Sequence, residues 1–280
     1  MKIGLNIIML EDDTLDDLEK TLKWAHESGF TNCHLTNWIM DQFNDNYAKE
    51  LKNLFNKYDM EITALWCGWH PPVIWNFTEG PSVLGIVPPE YRSTRTQNLI
   101  DGAKLARSLG IDDIITHLGF VPIDSCDPDY VGVVNQVRYI SDELKKHNQN
   151  FLLETGQEPP LILRRLIEDV GNDNLFINYD PSNIMAYGNG NAIDGLDMLG
   201  GYIKGVHAKD GLYPTGGYEL GKELPPGKGK VNFPKFISKL KEIGYDGALT
   251  IEHETDVDEE TKKREIIETK VYLENLLKDN

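Results

Sequence analysis

Cysteine is scarce in this chain: there are three among 280 residues, and Cys33, Cys67 and Cys126 have no paired spacing. That excludes a disulfide framework and a thiolate zinc or redox centre, and it points to a reducing compartment. Long apolar runs are missing too. The stretch from Met1 to Ile7 is too short for a signal peptide or a membrane span, so it reads as a first strand and the protein as cytoplasmic. Basic residues are the third deficit. Twenty-eight Lys and Arg face 45 Asp and Glu, a formal net charge of −17, which argues against nucleic-acid and membrane-surface partners. Gly227-Lys228-Gly229 lacks the Lys-Ser/Thr ending of a nucleotide loop and reads as a turn. With no linker and no low-complexity run, residues 1–280 read as one domain.

What the chain does have is a regular alternation of short apolar runs and helical periodicity. Thr14-Leu15-Asp16-Asp17 offers an N-cap hydroxyl with an acid three residues on, and Leu15, Leu18, Leu22 and Ala25 repeat at helical spacing until Gly29 stops the helix. Strands are predicted at 31–35 and 61–66, around a helix at 47–58. Helices at 93–109, 128–147, 159–170, 192–199, 233–243 and 258–277 then alternate with strands ending near His117, Glu154, Asp180, His207 and Glu252. Repetition of that unit in a chain of this length predicts an α/β fold, a single (β/α)8 barrel of the type that takes roughly 250 residues. Two stretches escape any period. One is 67–90, where Pro71-Pro72, Pro81 and Pro88-Pro89 surround Trp69, Trp75 and Phe77, and the other is 210–232. Long irregular segments in compact domains tend to be functional, and those that follow a barrel strand lie over its mouth.

The most informative stretch is Tyr202-Ile203-Lys204-Gly205-Val206-His207-Ala208-Lys209-Asp210-Gly211, an apolar strand that breaks abruptly into polar groups. Phe151-Leu152-Leu153-Glu154, Leu175-Phe176-Ile177-Asn178-Tyr179-Asp180 and Ala248-Leu249-Thr250-Ile251-Glu252 behave alike. One acid at one strand end reads equally well as a solvated group or a helix cap. Four ligand-type residues on consecutive strands converge on half of the mouth. Three carboxylates there repel one another and lose hydration, and a divalent cation removes both penalties. An oxygen-rich set with one imidazole favours Mn2+, with Mg2+, Co2+ and Zn2+ as alternatives. Such a cation polarises a carbonyl and the adjacent hydroxyl of a sugar. Glu154 and Glu252 flank it as the acid/base pair that removes and returns the intervening proton through an ene-diolate. Return to the opposite face is epimerisation, and return to the neighbouring carbon is aldose–ketose isomerisation.

Glu154-Thr155-Gly156, Asn178-Tyr179-Asp180-Pro181, Val206-His207-Ala208-Lys209-Asp210, Gly227-Lys228-Gly229-Lys230-Val231-Asn232-Phe233 and Gly244-Tyr245-Asp246-Gly247 running into Ile251-Glu252 carry a resemblance. Together they resemble the xylose-isomerase-like barrel superfamily of sugar isomerases and epimerases, over essentially the whole chain. The resemblance implies a metal held by Glu154, Asp180, His207 and Glu252, proton transfer by the two glutamates, a small sugar substrate and a dimer or tetramer. One departure is visible. Many sugar epimerases of this kind have His three residues after the strand-six Asp, where this chain has Asn183. The proton chemistry survives that change, the free ketohexose substrate is put in doubt, and Asn183 is left to bond a hydroxyl.

Secondary candidates surround this set. His117 at the end of strand four is a substrate contact or a satisfied core histidine, and His70 is a pocket residue or a plain loop residue. Lys209 meets a substrate oxygen or phosphate, or pairs with a site carboxylate. Gln157 and Glu158 touch substrate or cap the next helix, and Trp66, Trp69 and Trp75 offer an apolar wall for a sugar face. His253 and Glu254 alternate with Glu252, so at least one points away. Two rival functions keep a metal: a lyase or dehydratase on a keto-sugar or keto-glycoside, and a phosphodiesterase resembling the barrel-type apurinic endonucleases. The second is disfavoured by the net charge, by only seven His and by Asn183, since that class needs a further metal-binding His there. A non-catalytic sugar binder has no use for two carboxylates flanking a metal.

Overall fold

Strands that are apolar at nearly every position are buried on both faces, which favours a parallel sheet covered by helices. The computed structural model of the protein describes residues 1–279. The first half runs β1 (Lys2–Met9), α1 (Leu15–Glu27), β2 (Asn32–Asn37), α2 (Asp45–Lys57), β3 (Glu61–Cys67), α3 (Gly80–Val83), α4 (Pro89–Leu109), β4 (Asp113–Thr116) and α5 (Pro128–Lys145). The second runs β5 (Asn150–Glu154), α6 (Pro160–Val170), β6 (Leu175–Tyr179), α7 (Pro181–Ala186), α8 (Ala192–Leu199), β7 (Ile203–Ala208), β8 (Asp210–Gly211), β9 (Glu223–Leu224), α9 (Phe233–Glu242), β10 (Ala248–Ile251) and α10 (Glu259–Asp279). Eight strands close in the order β1, β10, β7, β6, β5, β4, β3, β2, all with parallel neighbours. The fold is the (β/α)8 barrel expected. Among the described residues, no helix is long and apolar enough to cross a membrane.

The helices each lay one stripe on the barrel. α6 buries Ile162, Leu163, Leu166, Ile167 and Val170, and α9 buries Phe233, Phe236, Ile237 and Leu240, the three-and-four spacing of a single helix face. Their ends are set locally. Thr14 and Asp17 form a capping box on α1, and Gly110 closes α4 with φ of 83°, a left-handed turn that glycine adopts without strain.

The structure departs from the sequence expectation in several places, among them the single turn α3 inside the stretch 67–90. α4 starts at Pro89 rather than Ser93, because proline is well suited to the first helical turn. α7 carries no readable period; it starts at Pro181 because the Asp180 carboxylate accepts the Asn183 N–H at 2.8 Å. The stretch 210–232 contains the antiparallel pair β8 and β9.

Both irregular stretches are fastened by a single side chain. Buried Arg95 donates to the carbonyls of His70 (3.3 Å), Pro72 (2.6 Å), Val83 (2.5 Å) and Gly85 (2.7 Å), which fixes the loop after β3. Buried Asp210 accepts the N–H groups of Gly211 (2.8 Å), Gly227 (2.9 Å), Gly229 (3.0 Å) and Val231 (2.9 Å), which closes the excursion after β7. These loops and the one after β1 form the barrel's upper wall.

Candidate functional site

β5, β6, β7 and β10 are adjacent in the barrel, so residues at their C-terminal ends share one part of the mouth. Glu154, Asp180, His207 and Glu252 each contribute a ligand atom to a group within 4.8 Å of one another, and all four side chains are buried. Three of their atoms, Glu154 Oε1, Asp180 Oδ2 and His207 Nδ1, are buried without an aligned hydrogen-bond partner. His207 Nδ1 lies 2.7 Å from Glu154 Oε1 and 3.3 Å from Glu252 Oε2. Orphaned polar atoms that converge in a dry site are costly, and a divalent cation satisfies all of them at once. The donor set therefore fits a hard or borderline metal ion.

The rest of each ligand is already engaged. Asp180 Oδ1 caps α7. Glu252 Oε1 accepts from Asn6 Nδ2 at 2.7 Å and Oε2 from Lys209 Nζ at 3.0 Å, and Thr36 Oγ1 in turn fixes Asn6 at 2.8 Å. Glu154 Oε2 accepts from the indole nitrogen of Trp66 and lies 3.5 Å from His117 Nε2. His207 Nε2 sits 3.0 Å from His34 Nδ1. With a cation at Nδ1, Nε2 would carry the proton and His34 would accept it, the outer-shell arrangement that orients a metal-binding imidazole.

Burial is the strongest influence on every one of these groups, and the partners decide the outcome. Burial pushes the Asp180 carboxyl well above its ordinary range, reinforced by Glu252 and Glu154 and only partly opposed by Lys209. For Glu252 burial is outweighed by His207 and Lys209, which hold it well below the usual range. Glu154 is lowered in the same way by His207 and His117. His207 is raised well above its usual value against burial, because Glu252 and Glu154 flank it. His34 is held well below by burial and by His207, hence neutral. The two glutamates are therefore ionised.

Above this cluster opens a cavity of about 860 Å³. Trp66, His117, Asn183, Lys209, Glu154, Glu252 and Gln157 line it, as does Trp75. Trp69 is buried behind them, 5.6 Å from the Trp66 ring. Lys209 is ion-paired to Glu252, Glu254 and Glu223. Glu158 is buried with both carboxyl oxygens unpartnered, outside the residues that line the cavity. His70 does not line it either; its ring faces Asp41 at 3.5 Å. Glu254 faces the cavity, and His253 turns the other way to Glu265 at 2.6 Å. His34, Asn6, Thr36 and Trp38 were missed. Asn6 is a lone polar residue inside apolar β1, and His34 is one of several polar residues in β2, so each reads as an ordinary core polar group.

The fold and the cluster together define the class: a parallel α/β barrel that gathers Glu, Asp, His and Glu at four neighbouring strand ends, a group that could hold a metal ion. Residues 22–275 match the family model described as xylose isomerase-like TIM barrel, and the chain belongs to that family. An uncharacterized protein of Methanocaldococcus jannaschii, MJ1311, is 25% identical over 289 residues, 98% of this chain and 90% of that one. A xylose isomerase domain protein from Planctomyces limnophilus superposes with a TM-score of 0.90 at 27% identity, covering 100% of this chain and 99% of its own. A D-tagatose 3-epimerase-like protein shares the fold with a TM-score of 0.76 at 21% identity, over 99% of this chain and 97% of its own.

Proposed function

We propose that the protein is a sugar isomerase or epimerase that depends on one divalent cation, Mn2+ in the first place, held by Glu154, Asp180, His207 and Glu252. The observation that carries the reading is the pair of buried, ionised glutamates at the two ends of a four-strand arc, around orphaned atoms that point at one another. A bound cation would supply Lewis acidity to a carbonyl and its neighbouring hydroxyl. The chain's own residues do the rest. Glu154 and Glu252 stand on opposite flanks as the proton carriers. Trp66 and Asn6 hold each carboxylate in place through its second oxygen, and Lys209 keeps Glu252 ionised. One carboxylate breaks the C–H bond next to the carbonyl, and the proton returns to the other face or to the adjacent carbon. His117 and Asn183 line the space where hydroxyls would lie. The D-tagatose 3-epimerase-like barrel is a neighbour consistent with this chemistry.

The test is solvent exchange. With Mn2+ in D2O and a broad panel of ketoses and keto-glycosides, at least one substrate should gain deuterium at the carbon beside its carbonyl, with a product of otherwise unchanged mass. Glu154→Gln and Glu252→Gln should each slow exchange by about 10²–10⁴-fold, the range for loss of a general acid or base. Absence of deuterium from every substrate would sink the reading, and a product lighter by water or by an alcohol would move the protein to the lyases.

A further inference from the structure

The cavity is much larger, and much more one-sided in charge, than proton transfer on a single sugar ring requires. Its volume of about 860 Å³ is near the top of the roughly 300–1,000 Å³ range of pockets that enclose drug-sized ligands. Of the four-residue cluster only Glu154 and Glu252 reach it, at its floor, with Asp180 and His207 buried beneath. The walls continue upward through the loop after β1, the Arg95-fastened loop after β3 and the excursion after β7.

Charge decides what can enter that upper space. Glu11, Asp12 and Asp13 line the rim. The lysine in the lining, Lys209, is buried and already paired with Glu252, Glu254 and Glu223, and no arginine among the described residues lines the cavity. The α7 N-terminus at the wall is occupied by its own Asp180 cap. A dication on the floor would offset only two of the three charges on Glu154, Asp180 and Glu252 and would leave the rim acids uncompensated. A phosphate ester would therefore meet repulsion and find no charge-assisted donor, whereas carboxylates are good acceptors for sugar hydroxyls.

The apolar groups of the upper wall are exposed in a way that a bound ligand would relieve. Trp75 is 39% and Leu10 56% exposed, both in the lining, alongside Trp38 and Trp66. Trp75 is held edge-on to His117 at 5.3 Å, so it is positioned next to the reaction site rather than loose above it. A rigid indole beside hydroxyl acceptors suits the apolar face and polar edge of a second ring.

We infer that the substrate is an uncharged, unphosphorylated glycoside longer than one sugar ring, its reacting unit on the cluster and its second unit against Trp75 and Leu10 under Glu11, Asp12 and Asp13. This rests on the sugar-site reading above and extends it to size and charge. The experiment is calorimetric titration of the Mn2+-loaded protein at fixed ionic strength with D-fructose, D-fructose 6-phosphate and a set of glucosyl-fructose disaccharides of different linkage. At least one disaccharide should bind about tenfold more tightly than fructose, and fructose 6-phosphate no more tightly than fructose. Trp75→Ala should pull the disaccharide-to-fructose ratio towards one, Trp75→Phe should restore most of it, and unchanged Mn2+ affinity shows that the variants fold. Asp12→Lys should raise affinity for the phosphate ester selectively. Tighter binding of the phosphate ester than of fructose, or no disaccharide exceeding fructose, would overturn the inference. Failure of the proton-transfer reading is distinguishable, because ligands would then bind in this order without any deuterium exchange.

Discussion

His207 and Asp180 each present one atom to the shared centre because another atom of the same side chain is already occupied. For His207 the occupier is His34, and deleting it frees the imidazole to turn and to change tautomer. His34→Ala should therefore weaken Mn2+ binding by about 10–100-fold, read by competition with a fluorescent chelator, and an unchanged affinity would show that the barrel alone orients His207. Glu158 behaves differently, because burial raises its carboxyl from 4.5 to about 8, opposed only by its own backbone N–H. Below pH 4.5 the carboxyl is neutral both folded and unfolded. As pH rises from there the unfolded chain ionises and the folded one does not, so stability falls by up to about 1.4 kcal/mol per pH unit until pH 8. Glu158→Gln, which stays neutral, should raise the urea midpoint at pH 8 and change it far less at pH 5, measured in chelator. Equal effects at both pH values would mean that the carboxyl is already ionised. At this scale the sequence was partly legible. Four ligands stood out because each ends an apolar run, while Glu158 was visible as a residue without any sign of its burial.

At the scale of elements, the two long loops are ordered by charge rather than by periodicity. Arg95 lies inside α4 and Asp210 begins β8, and each gathers four backbone groups from a stretch with no helical or strand pattern of its own. Such organisation depends on contacts 10 to 25 positions from Arg95 and as far as 21 positions from Asp210, which no local rule reads. α7 was hidden for a related reason: six residues are too few to show a period, and its start is set by Asp180, a candidate ligand that doubles as its cap. The strands and longer helices were readable because burial on a barrel imposes a pattern over many residues. Asp210→Ala strips four N–H groups of a charged acceptor, and with about 1.5–3 kcal/mol for a single hydrogen bond to a charged group a loss of at least about 2 kcal/mol is expected. Limited proteolysis should then cut between Tyr213 and Gly221 first, with the α6 and α9 regions still protected. Cleavage spread evenly along the chain would show that Asp210 serves the whole barrel instead.

For the whole molecule, the cluster at the mouth is a place where buried carboxylates oppose folding. The chain carries a net charge of −17, and its barrel closes around three buried carboxylates supported by Lys209 and two histidines, His207 and His117, that face them. Burying like charges opposes folding unless a counter-charge arrives. Cation binding at the proposed site would therefore be coupled to folding, and the ion should stabilise the folded chain by an amount that grows with the logarithm of its free concentration above Kd. At a free concentration of about 100 times Kd the gain is roughly 2.7 kcal/mol, which for a domain of this size corresponds to a rise in Tm of about 5 °C or somewhat more. Scanning calorimetry with Mn2+ and with chelator should show that difference in the native protein, and Asp180→Ala should lose most of it, because Oδ2 is one of the atoms left without a partner. Since the Asp180 carboxyl is pushed up by burial, the cation must displace a proton there, so the Mn2+-induced shift should shrink as pH falls. A Tm indifferent to the cation at every pH would mean that the converging side chains satisfy one another, and the barrel would have to be read as a binding scaffold with an internal salt-bridge network.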